Sequence, residues 1–183
     1  MKSNHIVRAA MVAVALSSAA TLFAAPVTTD EYRAAKSRIE AEYKDSKAAC
    51  DALSENAKDV CREEAKGKQK VARAELEYNR SGKPDDATKL ATTKADAAYA
   101  VAKEKCGDRS GNDKDVCVKE AKTAHTKALA DAKADKKVGE ARKDAAEDKR
   151  DADYNLAKEK CDGLAGDNKS SCLATARARY GKS

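Results

Sequence analysis

The groups most able to do chemistry in this chain are thiols, and they come in three matched pairs. CDALSENAKDVC (Cys50 to Cys61), CGDRSGNDKDVC (Cys106 to Cys117) and CDGLAGDNKSSC (Cys161 to Cys172) share one spacing and hold all 6 cysteines of the 183 residues. Structural zinc takes four ligands from closely spaced pairs of the C-x2-4-C kind. The spacing here is too wide for that, and beyond the N-terminal segment the only histidine is His125. Redox catalysis favours C-x-x-C or an exposed thiol of low pKa, and neither pattern is written here. A regulatory, exchangeable disulfide stays open. The reading that fits the spacing is three structural disulfides, with no metal and no cofactor.

The remaining candidates read as surface. His125 stands alone on a polar stretch and is expected to be an exposed histidine. Glu63 with Glu64 and Asp85 with Asp86 are adjacent in sequence, so on a helix they point to different sides, as solvated faces and first-turn charges. The glycines fall in turns rather than in a phosphate loop. No nucleophile, base and orienting group are spaced to act together, so a non-enzymatic protein is expected.

The elements that must position the cysteines repeat with them. YKDSKAAC, YAVAKEKC and YNLAKEKC each place a tyrosine (Tyr43, Tyr99, Tyr154) before the first cysteine of a pair, and CREEAK, CVKEAK and CLATAR follow the second. Such a repeat is one supersecondary unit used three times. Ala, Lys, Glu and Arg favour helix. Tyr32, Ile39, Tyr43 and Cys50 keep one narrow stripe on a helix face, as do Cys61, Ala65, Ala72 and Leu76 after the turn. Glu40 with Lys44 and Glu64 with Lys68 suit i,i+4 pairing. Between the cysteines, Ser54, Asn56, Gly107, Gly111, Asn112, Gly163, Gly166 and Asn168 are turn and cap residues, with Asn56 and Asn112 as expected N-caps.

Each unit is therefore expected to be a helical hairpin stapled by Cys50–Cys61, Cys106–Cys117 or Cys161–Cys172. The fold class is all-α: three disulfide-stapled antiparallel helical hairpins in an elongated, coiled-coil-like bundle. Closing each loop contributes about 3 kcal/mol in the chain-entropy model. The staples are needed because the core is thin. The whole chain has 4% aromatic residues and no Trp, and Leu, Ile, Val and Phe fall below the roughly 20% usual for a packed domain. The seam tyrosines and Ile39 supply area that alanine cannot, and the same residues, Tyr32, Ile39, Tyr43, Tyr99 and Tyr154, are the interaction candidates.

Two arrangements of the hairpins are open. SGKPDD (Ser81 to Asp86) disfavours continuous helix at Pro84, while the matching KKVGEAR has Gly139 and no proline. The segment from Cys117 to Cys161 is then nearly one helix of about 68 Å, and the shape is elongated: two long antiparallel segments with the short first and last helices packed back on one end. The alternative is a compact up-and-down bundle broken at both Gly82 and Gly139.

Residues 1–24 read as a signal peptide: Lys2 and Arg8 precede a short apolar run, Ala9 to Leu22, with small residues Ala24 and Ala25 after it. An uncleaved N-terminal anchor is the rival, and the only expected membrane contact. Residues 25–183 form the helical repeat domain, with units at about 30–80, 85–138 and 140–183. Paired cysteines fit an oxidising compartment, and the periplasm is expected, secretion beyond it staying open. Without Lys2 and Arg8 the 37 basic residues become 35 against 31 acidic ones, a net of +4. Both signs alternate along the chain, which argues against nucleic acid as partner.

With the repeats in view, the chain resembles a family of small exported Ala/Lys-rich helical proteins of Gram-negative bacteria. The likeness lies in DEYRAAKSRIEAEYK, NAKDVC, KDVCVKEAK, ARKDAAEDKRDADYNLAKEKC and the final ARARYGK. Members are compared with the helical middle region of the envelope protein TolA, and the composition is similar to that of late-embryogenesis-abundant stress proteins. The resemblance implies an envelope or stress context and carries over no catalytic residue. The expected function is a structural or interaction protein of the cell envelope, its partner an envelope protein of unknown identity; the alternative is a stress-protective or chaperone-like protein.

Overall fold

The computed structural model describes residues 28–182, so the expected signal peptide lies outside the described residues. These residues form α1 (Thr29–Ala49), a 3-10 turn (Cys50–Ala52), α2 (Glu55–Ser81), α3 (Pro84–Glu104), α4 (Gly111–Asp162) and α5 (Gly166–Tyr180), with no strand among them. The all-α reading and all three pairings hold: Cys50–Cys61, Cys106–Cys117 and Cys161–Cys172 are bonded, with Cα atoms 5.6, 5.8 and 5.7 Å apart.

Helix starts follow local rules. Thr28 caps α1 in a capping box with Glu31, which satisfies two orphan backbone donors at once. The caps of α2 and α4 differ from expectation. They are Ser54 and Ser110, not Asn56 and Asn112, and neither side chain closes a cap hydrogen bond. The first helical residue instead takes a left-handed φ in all three units: Glu55 (φ 48), Gly111 (φ 52) and Gly166 (φ 56). Glycine adopts that conformation at no steric cost, whereas glutamate is strained in it.

Each helix packs only on its neighbours in sequence: α1 on α2, α2 on α3, α3 on α4, α4 on α5. The two partners of α2 sit on opposite sides of it. Ala65 and Ala72 lie toward α1, while Gly67 and Ala74, half a turn away, lie toward α3. The result is one open layer of helices rather than a closed bundle. Its core is made of alanine, Ile39 and disulfide sulfur, with no buried polar or charged side chain among the described residues. α2 and α3 come close at Gly67, where a Cβ would meet the Ala97 Cβ at 3.1 Å.

Neither arrangement is present whole: the segment from Cys117 to Cys161 is one helix, as in the elongated form, but the chain reverses between α2 and α3, so there is one long segment rather than two and the short α1 and α5 lie at opposite ends rather than on one. α2 ends at Gly82, in the left-handed conformation (φ 62), and Pro84 opens α3. No such break occurs at Gly139, and α4 runs through 52 residues, about 78 Å at 1.5 Å per residue. The unit boundary at 138–140 thus lies inside a helix. α3 covers the N-terminal half of α4 as far as Lys136, which pairs with Asp85 at 2.8 Å. α5 covers the other end as far as Asp151, which pairs with Lys182. Between them residues 137–150 are exposed on every side. His125 against α3 and Cys161 against α5 are ten turns apart, so both neighbours lie on one side of α4.

Candidate functional site

Three tips, where the paired helices meet, concentrate the non-helical residues. Tips one and two share one end of the molecule, because α2 and α3 form an antiparallel pair. Tip three lies at the other end of α4. In every tip the first cysteine is buried: Cys50, Cys106 and Cys161 are 0%, 0% and 1% exposed. The disulfides are thus internal braces, and the groups that face solvent at the tips are charged, aliphatic or neutral polar, such as Ser54, Asn112 and Asn168. Leu53 and Leu164, which occupy the same place in tips one and three, are both exposed.

The electrostatics of the tips also repeat. In tip one Asp51 bridges to Lys58 at 3.1 Å and Arg62 at 2.9 Å. In tip three Asp162 bridges to Lys169 at 2.9 Å. Lys58, then Arg62, holds the Asp51 carboxyl below its ordinary value, and Lys169 does the same for Asp162. Tip two has Gly107 where the others have aspartate. A Cβ there would lie 2.5 Å from the Asn56 side-chain oxygen: tip two presses against tip one, and only a residue without a side chain fits unshifted.

The seam candidates are placed as follows. Ile39 is buried, and Tyr32, Tyr43, Tyr99 and Tyr154 are half-buried between paired helices. Tyr32 donates a hydrogen bond to Glu77, and Arg80 lies over its ring. That bond lowers the Glu77 carboxyl and raises the Tyr32 hydroxyl from their ordinary values. Tyr43, Tyr99 and Tyr154 fill one slot of the repeat, opposite Gln69, His125 and Tyr180 in turn. Tyr99 stacks on His125 with ring centroids 4.7 Å apart, and Tyr154 meets Tyr180 edge-on at 6.4 Å. The tyrosines therefore act as wedges between helices.

His125 is not the exposed histidine expected. Its side chain is 20% exposed, and its Nε2 lies 2.6 Å from Asp96 Oδ1 on α3. The helical period of 125 relative to Cys117 and Ala121 carried that signal in the sequence. Glu40 and Glu64 also differ from expectation. Rather than pairing along their own helices, Glu40 reaches Gln69 at 3.0 Å and Arg73 on α2, and Glu64 reaches Lys105 at 3.0 Å. A cross-helix partner wins because it neutralises the carboxylate where the seam partly dehydrates it.

No group of three or more His, Cys, Asp or Glu side chains is placed to hold a metal ion among the described residues, and no described helix is long and apolar enough to cross a membrane. Compared with known proteins, the chain matches no family model, no curated protein and no solved structure. What the three disulfides define is a protein of an oxidising, extracytoplasmic compartment.

Proposed function

We propose that this protein is a non-enzymatic structural or interaction module of the cell envelope, exported to the periplasm and built as a spacer. The observation that carries the reading is the unbroken α4. It holds tip three tens of ångströms from tips one and two across a stretch, 137–150, that touches no other helix. A stretch covered with interleaved Lys, Arg, Asp and Glu stays soluble while it bridges two packed ends. Resemblance to envelope-associated helical proteins supports the same reading.

Crosslinking in the exporting cell, with partners identified for the full chain and for a variant lacking residues 137–150, tests it. The deletion shortens α4 by about 21 Å. Envelope proteins captured through tip three by the full chain and lost in the short variant support a spacer. An unchanged set of partners, or none in any growth condition, sinks it.

A further inference from the structure

The repeat leaves one long surface without the cover that its equivalent has. On α2, the side made of Val60, Glu63, Glu64, Gly67, Lys68 and Val71 faces the groove with α3, and most of these residues line it. In the register set by Cys61 and Cys117, the same side of α4 is Val116, Lys119, Glu120, Thr123, Ala124 and Lys127. These residues line an open surface groove with nothing packed on it. Likewise Ala97, Ala98, Val101 and Ala102 of α3 meet α2. Their counterparts in the register of Cys106 and Cys161 are Ala152, Asp153, Leu156 and Ala157. Leu156 is 56% exposed, the most of any large hydrophobic side chain among the described residues.

Both uncovered surfaces lie on the same side of α4, opposite the side that carries α3 and α5, because α4 did not fold back on itself. Val116 and Val138, 45% and 46% exposed, lie on that side with Leu156. The charges on it are complementary. In net the N-terminal half is basic, with Lys119, Lys127 and Lys133 against Glu120 and Asp131, and the C-terminal half is acidic, with Asp144, Asp148 and Asp153 against Arg142 and Lys149, all exposed. Glu77 and Lys89, which line the α2–α3 groove, become Lys133 and Asp144, an opposed pair with its signs exchanged.

We propose that a second copy of this chain covers this surface, two α4 helices packing antiparallel so that the N-terminal half of each lies on the C-terminal half of the other. The Gly67–Ala97 approach, carried over by the cysteine registers, sets Thr123 against Ala152 of the second copy. The two-fold axis then falls between Lys137 and Val138, in the joint that stayed straight. Lys127 faces Asp148 of the second copy, and Lys133 faces Asp144. The unit-to-unit packing made within one chain by α2 and α3 is thus made between chains by α4, as in an exchanged-element dimer. Threonine in place of Gly67 keeps the two helices further apart than α2 and α3, and the longer Lys and Leu156 side chains fill that gap. The inference goes beyond the spacer reading: a dimer forms whether or not a partner binds the tips.

The test combines sedimentation equilibrium of the mature chain with amine crosslinking of a mixture of isotopically labelled and unlabelled copies. The expected result is twice the chain mass at about 100 µM, with labelled-to-unlabelled crosslinks between Lys127 and Lys149. Within one straight helix those residues are about 33 Å apart, beyond a short crosslinker. Asp144→Lys, which makes two symmetry-related pairs repulsive, should raise the dimer Kd about tenfold, and adding Lys133→Asp should restore it. A monomer at every concentration up to about 1 mM overturns the proposal. So do Lys127–Lys149 crosslinks confined to single copies, which mean a folded-back monomer, and crosslinks joining α4 to α1, which mean an open head-to-tail chain.

Discussion

Ser81-Gly82-Lys83-Pro84 ends α2 and begins α3, whereas the same register of the repeat, Lys137-Val138-Gly139-Glu140, passes unbroken through the middle of α4. Up to each joint the two units are alike: a tyrosine wedge, a buried first cysteine, a tip and an outgoing helix. At the first joint a left-handed glycine and a proline reverse the chain, so that α2 and α3 pack and tip two comes to rest on tip one. At the second, a lone glycine costs about 1 kcal/mol relative to alanine, too little to stop a helix with good formers on both sides. Two residues therefore decide whether consecutive hairpins stack or stand apart. The consequence reaches the tips: Gly107 leaves room for the neighbouring Asn56 side chain, while tip three keeps Asp162 and its bridge to Lys169.

Rewriting the second joint as the first is the strongest way to break this contrast. Val138→Gly, Gly139→Lys and Glu140→Pro together should fold the third hairpin back and bring the longest dimension of the chain from about 78 Å toward half that value, as read by small-angle X-ray scattering. An unchanged profile would show that the turn residues do not control the joint.

Removing one staple sharpens the contrast between the two ends. Cys161→Ala with Cys172→Ala costs about 3 kcal/mol of bracing, in a hairpin whose only neighbour is the end of α4. Hydrogen exchange across α5 should then approach that of a free peptide, while α1 to α3 stay protected. The same change at Cys106 and Cys117 should leave α3 protected, because α2 covers its other side. Equal loss of protection in both variants would contradict the layer.

Glu55→Gly brings the first tip into line with the other two, which already have glycine at that left-handed position. Relief of the strain should stabilise tip one by about 1 kcal/mol, seen as a rise in the melting temperature. A fall would mean that the Glu55 side chain contributes more than its backbone costs.

The smallest expected effect is that of pH. Asp51, Glu77, Asp85 and Asp162 all have carboxyls held below their ordinary values of 3.8 or 4.5 by hydrogen bonds from Lys58, Tyr32, Lys136 and Lys169. A depressed carboxyl stabilises the fold above its ordinary value, and that contribution disappears as pH falls through the lowered one. The melting temperature should therefore hold above pH 4.5 and decline below pH 3.8, modestly, since these pairs are near the surface. Disruption of one pair by Asp162→Asn should flatten the decline for tip three alone.

Much of this was legible because it is local. Equal cysteine spacing, a tyrosine at one place before each pair and turn residues between the thiols give the hairpins and their bridges without reference to any distant contact. The joints were half legible: Pro84 forbids continued helix, but Gly139 only disfavours it, so two arrangements stood open. His125, Glu40, Glu64 and the caps were misjudged for one reason. Each has a tolerable local solution, a solvated ring, an i,i+4 pair or an Asx cap, and a neighbouring helix or a left-handed backbone offers a better one.

Spacing and propensity within one hairpin are enough to say which thiols meet and that alanine and tyrosine rather than large aliphatics fill the seams, because both depend only on residues close together in the chain. The open layer with its bare bridge, the meeting of tip two with Asn56 and the uncovered side of α4 emerge only from the packing of whole hairpins. Those outcomes depend on which surfaces compete for the same neighbour, a balance of packing between segments far apart in the chain that no local pattern encodes.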